Sequence, residues 1–323
     1  NIAEMAERIA AAADITGIGL TLLPVHYQYG GCDKRALGDG QIRFGNDPER
    51  FAKLYEESVK ALKSLPSDTR IGVAPHSLRA VGREDLIATT RLSKDGPIHM
   101  HLAEQGAEVD EVEEFWGKRP VEWLLENADV NENWCLIHCT QMAKHETLGL
   151  AKTGAVAGLC PITESSLGDG IFDGVRYLGA GGVIGVGSDS NIRISLSEEL
   201  RTLDYSQRLR DKSRAALATP EHSTGRRLYE AVAKGGAQAA GRNSGKIEVG
   251  ALADLIALDG TAVDLIGKTG DTILDTYIFA GDDRMVRDVW SAGRHVVSDG
   301  HHIAHDAITT EYRKVMEQLK ASV

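Results

Sequence analysis

Pro97-Ile98-His99-Met100-His101-Leu102-Ala103-Glu104 is the stretch whose reading decides the fold. Ile98, Met100 and Leu102 alternate with His99 and His101, the period of a strand whose side chains point to opposite faces. The two imidazoles therefore share a face and can both point inward, while Glu104 falls past the strand end on the following loop. The same unit recurs outward in both directions. Apolar runs ending near residues 24, 76, 102, 139, 160 and 188 predict six strands, namely 15–24, 70–76, 97–104, 134–140, 155–161 and 181–189. Helical patterns at 3–14, 47–63, 82–92, 108–127, 143–152, 195–212 and 224–239 lie before, between and after them. Strands apolar on both faces and alternating with helices predict an α/β protein with a parallel sheet. A (β/α)8 TIM-type barrel is the first expectation, because most of the strands carry polar residues at their C-terminal ends, where a barrel places its active site. A doubly wound open sheet is the alternative.

Beyond about residue 240 the texture changes: 245–259 and 283–300 read as short β-hairpin segments, and 308–320 as a terminal helix. The expected organisation is a barrel over 1–240, the C-terminal part of a small β-sandwich over 241–305 and a helix over 306–323. A chain of 323 residues that is 42% hydrophobic and 26% charged excludes disorder, collagen-like repeats and a coiled coil. Its 36 basic against 47 acidic residues leave −11, which repels phosphate backbones and argues against nucleic-acid binding. Four cysteines without a Cys-x-x-Cys pattern suit a reduced, cytoplasmic chain. No apolar run approaches the roughly 18 residues of a membrane span. The chain opens on Asn1 rather than a methionine, which raises the expectation of an upstream segment.

Several groups could carry chemistry. A His ligand with a carboxylate three residues on, as in His101 and Glu104, suits metal-assisted hydrolysis, with Glu moving protons for the attacking water. Taken alone, the motif fits equally well a pair of core or loop histidines beside a surface glutamate. His138 ends the next strand, with Cys135 and Cys139 on the opposite face, so a Cys/His zinc cluster within that strand is not expected. Asp189 follows the run Gly182–Gly187 and reads either as a helix N-cap or as a carboxylate ligand. The surrounding glycines miss the G-x-G-x-x-G spacing, which removes a dinucleotide loop. His76 and Arg79 sit at and just beyond another strand end. An arginine there is a candidate clamp for a substrate carboxylate, although a surface Arg paired with an acid is the commoner outcome. The joint position of His101, Glu104, His138 and Asp189 at three strand ends favours the catalytic reading.

That order resembles the amidohydrolase superfamily, in particular its mononuclear deaminase branch. The resemblance runs from about residue 15 to the end. It rests on 99–105 (HMHLAEQ), 160–172 (CPITESSLGDGIF) and 187–195 (GSDSNIRIS), with 245–256 and 288–300 similar to the family's small β-sandwich. The resemblance implies that His101, from the fifth barrel strand, and Asp189, from the eighth, hold one divalent metal ion, zinc first, with iron, nickel or manganese open. It implies that Glu104 shuttles protons to the leaving amine and that His138 orients the attacking water. It also implies that His76 and Arg79 hold a substrate carboxylate. The implied reaction converts the formimino carbon of N-formimino-L-glutamate to a formyl group and releases ammonia, as in histidine breakdown. A homodimer is implied as well.

The departures are part of the expectation. The family's first strand supplies a further H-x-H pair, and no such strand precedes residue 15; His26 lies on the third strand's loop and does not match it. Strands three to eight of the barrel are thus expected here, with poor zinc binding and no activity for the chain by itself. Rival readings are a deaminase of a guanine-like purine base, a noncatalytic barrel serving as scaffold, and a phosphate-binding barrel using the glycines of 179–187.

Overall fold

A computed structural model of the chain describes residues 1–190 and 193–322. Asn191 and Ile192, inside the expected 187–195 motif, and Val323, inside the expected terminal segment, lie outside the described residues.

The Ala-rich helix α1 (Glu4–Thr16) opens the fold and stops at Gly17, whose φ of 70° is left-handed and whose N–H caps Ala13 O. The first strand therefore cannot start at residue 15. It begins at β1 (Thr21–Leu22) and continues as β2 (Val25–His26), so it ends at 26 rather than 24. Pro24 interrupts the ladder because it has no N–H to donate, yet its carbonyl accepts from Ala74 N at 2.9 Å and keeps the stave intact. The facing stave is likewise split, into β3 (Arg70–Ile71) and β4 (Ala74–Pro75), paired in parallel with β1 and β2.

From there the staves run side by side in chain order. Val73 bridges to Ile98 in parallel, and His101 N donates to His76 O at 3.0 Å. β5 (Ile98–Leu102), β6 (Trp134–His138), β7 (Val156–Leu159) and β8 (Val183–Val186) then form one four-stranded parallel sheet with Leu102 opposite His138 and Leu159 opposite Val186. This is the expected succession of six parallel staves, curved as in a TIM-type barrel. Between them lie α2 (Pro48–Ala61), α3 (Arg83–Thr90), α4 (Gly106–Trp116), α5 (Pro120–Asn127), α6 (Lys144–Ala151), α7 (Pro161–Leu167) and α8 (Gly174–Gly179). α9 (Leu196–Asp211) and α10 (Thr224–Ala239) follow β8. The helical pattern expected around 108–127 is two helices: Gly117 takes φ 76° at the end of α4, and Pro120 starts α5.

The core follows from the strand pattern. Met100, Leu102, Leu136 and Leu159 are at most 1% exposed, each such burial stabilising by about 1.5–3 kcal/mol. α10 lies directly on β8: a Cβ added at Gly235 would stand 2.0 Å from the Ile184 carbonyl oxygen. Leu265, Tyr277, Ile278 and Met285, from the connection around α11 (Asp271–Asp275), join this same core. The C-terminal segment forms an antiparallel sheet of β9 (Leu255–Leu258), β10 (Val286–Ser291), β11 (Arg294–Ser298) and β12 (His301–His302), followed by α12 (His305–Ser322). Asp68 ties this sheet to the barrel. It accepts from both Arg294 and Arg242 at 2.9–3.0 Å, and Arg242 also reaches Asp254. Among the described residues no helix is long and apolar enough to cross a membrane. All four cysteines are buried and free.

Candidate active site

The C-terminal ends of the staves bring the expected residues together. Left-handed backbone marks them: Ala103 (φ 51°), His138 (72°), Cys139 (52°) and Asp189 (50°) close β5, β6 and β8. Such conformations cost about 1–3 kcal/mol each in non-glycine residues and persist where packing over-determines them. After β5 the packing is explicit. Buried Glu108, near the start of α4, accepts from the backbone N–H groups of both Ala103 and Glu104. The turn that carries Glu104 is therefore pinned from below.

His101 is oriented for ligation. Its Nδ1 donates to the His76 carbonyl at 3.0 Å. A carbonyl accepts only, so the proton sits on Nδ1 and the Nε2 lone pair of the neutral ring is left free. The rings of His76 and His138 lie 4.7 and 5.7 Å from that of His101. His99 shares the inward face as expected but serves the fold, with Nε2 donating to Ala239 O at the end of α10. His26 sits on β2 itself rather than on a loop, wholly buried, stacked on Phe51 at 4.8 Å and bonded to Thr89.

Glu104 and His138 face each other, Oε1 to Nε2, at 3.6 Å. Burial pushes the Glu104 carboxyl up, only partly offset by His138 and His101. Burial alone would lower His138, but the carboxylates of Glu164, Glu104 and Asp189 outweigh it and raise it. Both shifts favour holding a proton, so the facing pair can share one between them. Asp189 ends β8 exposed and is not the helix N-cap its sequence position allowed: Ser195 caps α9 by accepting from Glu198 N. The thiols of Cys135, pushed up to about 12, and of Cys139, pushed well above the usual thiol value, are held protonated chiefly by burial.

Arg79 lines a cavity of about 400 Å³ with Tyr29, Lys34, Arg83 and Trp116. Its Nε is buried without a hydrogen-bond partner, and among the described residues no carboxylate pairs with it. His76 lies beside it, bonded through Nδ1 to Ser77, and is lowered to about 3 by burial, with His101 and Arg79 adding to the effect. A neutral His76 can donate a hydrogen bond; the cavity's positive charges are those of Arg79, Lys34 and Arg83, with the carboxylates of Glu84 and Asp85 also in its lining.

The structure adds residues the motifs did not single out. Glu164, buried in α7, accepts from His138 Nδ1 at 3.3 Å and from Cys160 N at 2.9 Å. Asp169 is held by Gln105 through Oδ1 while its buried Oδ2 has no partner. Glu199, raised to about 7 chiefly by burial, accepts from Ile162 N. All three lie in or against the stretch 160–172.

As donors for a metal, His101 Nε2 and the Asp189 carboxylate are chemically apt. Among the described residues, however, no group of three or more His, Cys, Asp or Glu side chains is placed to hold an ion. Two donors are fewer than the three protein ligands usual in a catalytic site.

A parallel barrel of α/β units with a His-Glu-His-Asp set at its strand ends defines a class, and the chain belongs to the Amidohydrolase family, which it matches over residues 5–296. It is 43% identical to the formimidoylglutamate deiminase of Pseudomonas aeruginosa over 98% of this chain and 70% of that protein. The crystal structure of an amidohydrolase from Brucella melitensis, 47% identical, superimposes with a TM-score of 0.93 over 98% of this chain and 70% of the other. An adenosine deaminase from Xanthomonas campestris, solved with bound zinc, shares the fold at a TM-score of 0.83 and 22% identity over the same shares. These relatives support a hydrolase acting on carbon–nitrogen bonds. They give no support to the expectation that the chain by itself is inactive.

Proposed function

We propose that the chain carries the catalytic face of a deiminase that converts N-formimino-L-glutamate and water to N-formyl-L-glutamate and ammonia. The observation that carries this choice of substrate is Arg79, a half-buried guanidinium with an unpartnered Nε whose charge acts on His76, the ring packed against His101, in a protein of net charge −11. A buried cation left unpaired is costly unless a ligand completes it. A dicarboxylate substrate does so; a purine base does not. The Pseudomonas relative supports the same reading.

In this reading Glu104 accepts a proton from the attacking water as its oxygen bonds to the formimino carbon, and returns it to the nitrogen. The adduct's hydroxyl proton then passes to the same nitrogen by way of Glu104 as the C=O forms, the C–N bond breaks and nitrogen leaves as ammonia, one water consumed per ammonia released. His138, facing Glu104 at 3.6 Å, orients and polarises that water. Arg79, with a hydrogen bond from His76, holds a substrate carboxylate. His101 and Asp189 would contribute to holding one divalent metal ion, zinc in this proposal, and the chemistry it supplies when bound is to acidify water toward a pKa of about 7.

Ammonia release measured side by side from N-formimino-L-glutamate and from guanine tests the substrate. Release from the first and not the second is expected; the reverse would overturn the reading.

A further inference from the structure

We propose that Glu164 is a positioning residue that fixes the ring of His138, so that Nδ1–H is tied back into the protein and Nε2 is turned toward Glu104 and the reacting atoms. The proposal rests on the deiminase reading above for the reaction it serves, and on geometry for the contact itself.

His138 is 1% exposed and lies between two glutamates, one at each ring nitrogen: Glu104 Oε1 stands 3.6 Å from Nε2 and Glu164 Oε1 stands 3.3 Å from Nδ1. A carboxylate accepts hydrogen bonds and donates none, so the bond to Glu164 requires the proton on Nδ1. Without that partner the imidazole could flip about χ2, because terminal sp³–sp² torsions are broad and roughly two-fold. Either nitrogen could then face Glu104, and half the orientations would be unproductive.

Glu164 is itself immobilised. It is 4% exposed, one turn into α7, and the same Oε1 accepts the backbone N–H of Cys160, the residue that precedes the helix. The carboxylate thus closes the turn from β7 into α7 and reaches across to the end of β6, where His138 sits at φ 72°. The neighbouring stave therefore sets the ring's direction. An outer carboxylate that orients a functional histidine is worth about 10–100-fold in activity when removed.

A merely structural role is the competing account, because the Cys160 cap alone would justify a buried glutamate. Two substitutions separate them. Glu164→Gln keeps an oxygen that can accept from both Cys160 N and His138 Nδ1; Glu164→Ala removes both bonds. The first readout needs no substrate: the ¹⁵N–¹H spectrum of ring-labelled histidine in the whole protein, with the His138 signal assigned by its loss in His138→Asn. A protected Nδ1–H on His138 is expected in the wild type and in Glu164→Gln, and its loss in Glu164→Ala. The second is the kinetic split on N-formimino-L-glutamate. Glu164→Ala should lower kcat by about 10–100-fold with KM nearly unchanged, and Glu164→Gln should recover most of the loss.

A wild-type His138 protonated on Nε2 and bare at Nδ1 would overturn the proposal even if Glu164→Ala fails to fold. So would a Glu164→Ala protein that loses thermal stability while keeping the Nδ1–H signal and kcat. Absence of turnover in a wild type that shows the protected Nδ1–H would count against the substrate reading and leave the positioning role standing.

Discussion

In the proposed reaction Glu104 is the residue on which proton transfer depends most. Its carboxyl is pushed up by burial and faces His138, so it can hold a proton between water and the leaving nitrogen. Glu104→Gln keeps the shape and removes that capacity, and kcat should fall about 10²–10⁴-fold; a near-wild-type rate would remove Glu104 from proton transfer. In the same proposal Arg79 acts on binding instead. A hydrogen bond to a charged group contributes about 1.5–3 kcal/mol, so Arg79→Met should lower kcat/KM for N-formimino-L-glutamate by about 10–150-fold. The same variant should leave turnover of formamidine, which has no carboxylate, nearly unchanged, and equal losses on the two would sink the clamp. The places of His101, Glu104 and His138 were legible because each stands at or just past a strand end, where alternation and chain order fix its position. Glu164 and Asp169 were not, since their bonds to His138 and Gln105 span 26 and 64 residues and depend on how β7 turns into α7. His99 has the register of His101, and its bond to Ala239, 140 residues away, reveals its part in the fold.

Between elements, the fold depends on two junctions. α10 meets β8 through Gly235, and the 2.0 Å approach of an added Cβ to a backbone oxygen cannot be relieved by a rotamer change. Gly235→Ala should destabilise the protein by about 1–3 kcal/mol in urea unfolding despite its better helix propensity; an unchanged midpoint would mean that α10 sits further from β8. The second junction is Asp68 between Arg294 and Arg242. The Arg294 bond comes first among the causes that, against burial, hold its carboxyl at about 2 instead of 3.8. Because the folded value is below the unfolded one, the stabilisation is complete above about pH 4 and is lost as pH falls through 2. Discounted for solvent screening, it contributes about 1–2 kcal/mol. Asp68→Asn should lower stability at neutral pH and flatten its decline between pH 4 and 2, and a decline as steep as the wild type's would assign it to other carboxylates. None of this was visible in the sequence, where Asp68 and Arg294 are 226 residues apart. The break between α4 and α5 was visible in the sequence, in Gly117 and Pro120.

For the molecule as a whole, the alternation of apolar runs with helical segments was enough to predict a parallel α/β barrel in chain order, because six staves obey one repeating rule. Stave boundaries shifted where Gly17 and Pro24 override the apolar pattern. The four free cysteines follow from the same core: Cys32 and Cys135 are pushed up to about 12 chiefly by burial, and Cys139 and Cys160 are also raised. The folded protein should therefore resist iodoacetamide at pH 8 and take up all four labels only on unfolding; rapid labelling of any one would contradict that core. In the proposed reaction water adds at the formimino carbon and ammonia leaves. Turnover of N-formimino-L-glutamate, ¹³C-labelled at that carbon, in H₂¹⁸O tests it directly. N-formyl-L-glutamate carrying the ¹³C and one ¹⁸O, with one ammonia per turnover, is the predicted result. Formamide and free glutamate, or no conversion, would contradict it.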